Sequence, residues 1–152
     1  MPVWASDPKT PKGALRGAFC LALLAAPALA DPLTALQAGT WGNEGFAERR
    51  CADNPHLVQL IAADRLRFGW QQPIDSHLNG AVSQTFATIL SRDVTGLQLR
   101  LDNETRFDSD GGPLVFDLYL SADGLEYCLT PRSWDRKLCP RPYRRCAGPA
   151  LS

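Results

Sequence analysis

Two histidines in 152 residues leave little scope for acid–base chemistry near neutral pH. His56 follows Asn54-Pro55 at the entrance to an apolar run, and His77 sits in the polar stretch 71–80; both read as solvated loop histidines. No G-x-S-x-G sequence occurs, so the nucleophile elbow of the α/β hydrolases is excluded. No two cysteines stand two to four residues apart, which removes the usual close pair of a structural zinc site. An excess of one charge is missing too. The formal net charge is zero, and residues 31–152 hold thirteen basic and fifteen acidic side chains, a balance that argues against general nucleic-acid binding. No apolar run reaches the roughly 20 residues of a membrane span. After residue 30, no segment keeps a helical period for more than about two turns.

What is present begins with a leader. Lys9, Lys12 and Arg16 precede the apolar stretch 18–26, and the small residues Ala28 and Ala30 follow. This is the layout of an export signal, so residues 1–30 are expected to be removed near Ala30, leaving a periplasmic or secreted chain. Phe19 stands where a lipoprotein signal needs a small residue before Cys20. No twin-arginine pair precedes the apolar run, which implies export unfolded, and no cofactor is expected. In an oxidising compartment Cys51, Cys128, Cys139 and Cys146 read as two disulfides. Every pairing of the four is open on sequence grounds. The favoured one joins Cys128 to Cys139 around a local loop and Cys51 to Cys146 from the front of the domain to its tail.

Alternation dominates the remainder. Leu66, Phe68 and Trp70 alternate with Arg65, Arg67 and Gly69, and Leu97, Leu99 and Leu101 alternate with Gln98, Arg100 and Asp102. A period of two marks strands with one face in a core. Further strands are expected at 40–43, 57–62, 82–91 and 104–108. A hairpin over 114–131 is expected to turn at Asp123-Gly124 as type I′, with Leu120 facing Tyr127, Leu118 facing Leu129 and Tyr119 facing Cys128. That register turns Cys128 away from the core. Asp31 and Pro32 have the types of an N-cap and a first helical residue, which predicts a short helix over 32–37.

The expected architecture is all-β: an antiparallel meander of about eight strands closing or nearly closing into a barrel. Its parts are an arm or short helix at 31–38, a β domain at 39–132 and an irregular tail at 133–152. Pro140, Pro142 and Pro149 are expected to keep that tail out of regular strand pairing, leaving it pinned by its cysteines.

Leu36-Gln37-Ala38-Gly39-Thr40-Trp41 resembles the opening of the calycin barrels, the lipocalin and avidin group. The resemblance implies a first strand starting G-x-W, with the Trp plugging the barrel floor against a basic residue; Arg132 or Arg136 is the candidate. Cys51 and Leu57-Val58-Gln59-Leu60 add a resemblance to small periplasmic metalloprotease inhibitors. The spacing as a whole is similar to small secreted β proteins of proteobacteria, which implies no activity.

The candidate binding cluster is Trp134 with Arg132, Arg136 and Lys137. Aromatic and Arg side chains carry much of the energy of interfaces, although a Trp near Cys128 and Cys139 also suits a cap over a disulfide and the barrel mouth. Arg132, Arg136, Lys137, Arg141, Arg144 and Arg145 crowd the tail downstream of an acidic stretch. Either they fold back over it or they present a cationic surface to an anionic partner. Asp108-Ser109-Asp110-Gly111 echoes a calcium loop but lacks its terminal Glu, and reads as a turn. No catalytic or metal residue is assigned. The expected function is a non-catalytic binding module for a protein or small ligand. An inhibitor of a secreted hydrolase comes next, its arm 31–38 entering a cleft, and a small envelope hydrolase third.

Overall fold

The computed structural model describes residues 31–76, 80–136 and 138–148. The leader 1–30, His77 and Lys137 lie outside the described residues. Eight strands run β1 Thr40–Gly42, β2 His56–Ala62, β3 Arg65–Ser76, β4 Gly80–Arg92, β5 Gly96–Leu101, β6 Phe116–Leu120, β7 Glu126–Pro131 and β8 Tyr143–Arg145. Each pairs antiparallel with the next, and β8 returns to β1, so the meander closes into a barrel. Among the described residues, no helix is long and apolar enough to cross a membrane.

Alternation aims the side chains as the period of two requires. Val58, Phe68 and Thr85 are successive partners across β2, β3 and β4. Leu97, Leu118 and Leu129 do the same across β5, β6 and β7. These inward positions, with Trp41, Leu66, Leu99 and Tyr127, make the core. The connections differ sharply between the two ends. Short ones at 63–64, 93–95 and 121–125 share one end, and long ones at 43–55, 102–115 and 132–142 share the other.

The short-turn end is plugged. Helix α1 (Pro32–Gln37) starts at Asp31, whose Oδ2 accepts the Thr34 N–H at 3.2 Å, the expected cap. Its Leu33 and Leu36 are buried, and the Leu36 carbonyl accepts Trp41 Nε1–H at 2.8 Å. The arm 31–38 is therefore a plug. The cation over the Trp41 ring is Arg145, at 5.2 Å, and not Arg132 or Arg136. β8 lies beside β1 with Arg145 opposite Trp41. Arg145 then reaches the end of α1, donating from Nη2 to the Ala35 carbonyl at 2.8 Å.

The β6–β7 hairpin keeps the expected register, Leu118 on Leu129, Tyr119 on Cys128 and Leu120 on Tyr127. Its turn is different. Gly124 alone takes a positive φ, +67°, and Ser121 pairs with Glu126 around a longer loop than type I′ allows. The register survives because both loops are centred on the same two residues.

Two strand assignments change. Residues 104–108 contribute only a single bridge, Phe107 to Pro113. Glu104 instead holds both the backbone N–H and the guanidinium of Arg106, a local bonding that competes with a ladder. The described residues of 132–142 are irregular, but Tyr143–Arg145 then form β8 and complete the barrel. A strand lying between two prolines avoids their restriction, because every residue in it keeps its N–H.

Both disulfides follow the favoured pairing, Cys51–Cys146 and Cys128–Cys139. The first clamps loop 43–55 to the residue after β8. The second fastens the tail to the outer face of β7. The basic tail folds back over acidic residues, with Arg136 Nε 3.0 Å from Asp117 Oδ2 and Arg144 Nε 2.9 Å from Glu126 Oε1.

Candidate functional site

At the long-loop end the barrel opens into a cavity of about 460 Å³. Its wall is aromatic: Phe68 and Trp70 from β3, Phe116 from β6 and Tyr143 from β8, with Phe46 and Trp134 added by the loops. Space remains because the partners of these rings are short. Thr85 faces Phe68, and Ala87 lies one inward position further along β4. Phe46 is held at the rim between two guanidinium groups, Arg49 at 5.0 Å and Arg141 at 4.8 Å.

Beneath the cavity lies a buried polar cluster. His56 Nε2 is 2.6 Å from Tyr127 Oη. The Tyr127 ring stacks on Tyr143 at 4.7 Å and meets Trp41 edge-on at 5.0 Å. Burial and the neighbouring Tyr143 push the Tyr127 phenol well above its ordinary value, so it stays protonated and donates to His56. Burial above all, and then the charge of Arg49, lower the His56 pKa to about 3. A fully enclosed imidazole with that pKa is a feeble general base. His56 is thus a core residue of β2 and not the solvated loop residue expected from Asn54-Pro55. Asn54 forms part of the same lock, donating to the carbonyls of Glu48 at 3.2 Å and Gln72 at 2.8 Å.

Three charged side chains line the cavity. Asp102 is held bidentate by Arg65 at 2.9 and 2.5 Å. Arg106 is held by Glu104 at 2.9 and 2.7 Å. Arg49 has Glu48 3.8 Å from Nε and makes its hydrogen bonds to neutral oxygens, with Nη2 donating to the Asp75 carbonyl at 2.9 Å and Nη1 to Tyr143 Oη at 3.5 Å.

Among the described residues of the expected binding cluster, Trp134, Arg136 and Arg132 take separate places. Trp134 is 54% exposed and borders the cavity on one side. On its other side is a shallow depression shared with Leu138, Cys139 and Pro140. Arg136 belongs to the outer wall, paired with Asp117 and 6.0 Å from the Tyr119 ring, while its carbonyl accepts the Tyr119 hydroxyl. Arg132 is exposed beside the rim and is fixed through its backbone, its N–H donating to the Val115 carbonyl at 2.8 Å. At 108–112 the turn reading holds. Asp108 Oδ1 accepts the Ser109 N–H at 2.7 Å, the first cause of its lowered pKa, and Gly111 has φ +81°. Sequence reasoning missed Arg49, Phe46 and Tyr143. Phe46 and Arg49 are local neighbours, but Tyr143 joins Arg49 only across the closed barrel, so no local pattern marks the three.

Comparison of the chain with protein-family models, curated proteins and solved structures finds no match.

Proposed function

We propose that this chain is an exported, non-catalytic binding module that takes a small ligand with a flat, largely apolar body in the mouth of its barrel. The open, aromatic-walled cavity of about 460 Å³ carries this reading. It lies within the roughly 300–1,000 Å³ of small-molecule sites, which combine apolar walls with a few polar groups. Two disulfides suit a compartment outside the cytoplasm, after cleavage of the leader near Ala30. Trp41 under Arg145 at the plugged end supports a calycin-like lineage. Inhibition by an inserted arm is the weaker reading, since Leu33 and Leu36 would have to leave the core. A hydrolase is weaker still, because His56 is committed to Tyr127.

The test uses phenylnaphthylamine, an uncharged dye whose emission rises in apolar surroundings. The wild-type chain is expected to bind it saturably. Thr85→Trp, which places an indole in the cavity opposite Phe68, is expected to abolish the signal with near-ultraviolet dichroism retained. Undiminished dye binding by a folded Thr85→Trp variant would remove the cavity from this reading.

A further inference from the structure

Resting on that cavity reading, we propose that its natural ligand is an anion, a flat apolar molecule bearing a carboxylate or similar group that seats on Arg49. The charges of the wall differ in how closely they are paired. Asp102 and Arg106 each have an opposite charge at bonding distance, Arg65 and Glu104, and so cancel within the protein. Arg49 is held more loosely. Its side chain is only 17% exposed, and its ion-pair partner, the exposed Glu48, stands 3.8 Å from Nε, beyond hydrogen-bond reach. Nε itself is buried without a hydrogen-bond partner among the described residues.

A second donor is in the same condition. Trp70 lines the cavity, and its buried Nε1–H lacks a partner among the described residues. Buried donors in folded proteins are ordinarily paired, and an orphan calls for an explanation. Here one cation and two unpaired N–H groups belong to side chains around a single opening. Neither a guanidinium nor an indole N–H can accept, so the missing partner must be an acceptor, and a guanidinium so loosely paired favours a negative one. The positive field of Arg49 is felt through the floor, where, after burial, it helps to lower the His56 pKa. Phe46, Trp70 and Tyr143 supply flat faces for the ligand's apolar body.

The experiment compares two dyes of one skeleton, anionic anilinonaphthalene sulfonate and neutral phenylnaphthylamine, on the intact chain and on Arg49→Met. Loss of the guanidinium is expected to weaken the sulfonate by roughly tenfold or more beyond any loss of the neutral dye, the factor one charge-assisted hydrogen bond carries. Arg49→Lys is expected to recover most of the sulfonate affinity. If both dyes weaken equally, or neither changes, in a folded Arg49→Met chain, the anion assignment is overturned while the cavity reading stands. If the wild-type chain fails to bind the neutral dye, the cavity reading falls and takes the anion with it. Should Arg49→Met not fold, displacement of phenylnaphthylamine from the wild-type chain decides the matter. Benzoate is then expected to displace it and benzyl alcohol not, and equal displacement by the two would overturn the proposal.

Discussion

His56 follows two residues typical of loops, yet its ring is sealed between Tyr127, Tyr143 and Trp70, with centroids 5.0–5.9 Å away. That enclosure has a thermodynamic consequence. The unfolded chain takes up a proton at this ring as the pH falls through 6.5, whereas the folded chain resists until about 3. The unfolded state therefore binds more protons throughout that window, so the contribution is whole above 6.5 and drains away toward 3. The slope is on the order of 1.4 kcal/mol per pH unit. Asp93, Asp108 and Asp123 are also depressed and lose stability in the same direction, but only as the pH drops below their ordinary 3.8. Between about pH 7 and about pH 5 the wild-type urea midpoint should fall, while that of His56→Gln should hold nearly level. Matching slopes in the two proteins would show that the ring titrates normally in the fold.

At the scale of elements, the strands are set by alternation and the connections by backbone detail. β5 and β6 approach so closely at Gly96 that a Cβ there would stand 2.1 Å from the Leu118 carbonyl oxygen and 2.9 Å from Tyr119 Cα. Both obstacles are backbone and neither can swing aside. Gly96→Ala should therefore force the strands apart and cost about 1–3 kcal/mol or more, read as a lower denaturation midpoint. A neutral result would mean that the β4–β5 connection relaxes freely. β8 illustrates the opposite dependence. Three residues carry too little periodicity to announce a strand, and their place arises only because β1 and β7 leave a gap of one strand between them.

The whole molecule is closed by chemistry as well as by hydrogen bonds. Cys51–Cys146 spans 95 residues and Cys128–Cys139 spans 11. Chain entropy makes the long loop the more stabilising one to close, about 4–5 kcal/mol against about 3 kcal/mol for the short one. Replacing both cysteines of the long link by alanine should thus lower the melting temperature more than the same change in the short link. The reverse order would show that tail anchoring outweighs barrel closure. The surface ion pair of the tail, Arg144 with Glu126, is expected to contribute much less. The two ends have separate roles: short turns and α1 seal one, while the long loops hold the cavity open at the other.

The all-β class, most strands, the capped α1 and the β6–β7 register were legible in the sequence, because local rules govern them. A period of two aims side chains whatever lies across the sheet, and Asp31 caps its helix through contacts three residues away. The disulfide pairing was within reach for the same reason, since the register turned Cys128 outward toward the tail. What only the tertiary structure decided is non-local. Strand β8, the choice of Arg145 as the cation over Trp41, the burial of His56 and the meeting of Arg49 with Trp70 all depend on segments distant in the chain. A cavity is defined by volume left unfilled after every neighbour is placed. No single stretch of sequence carries that information.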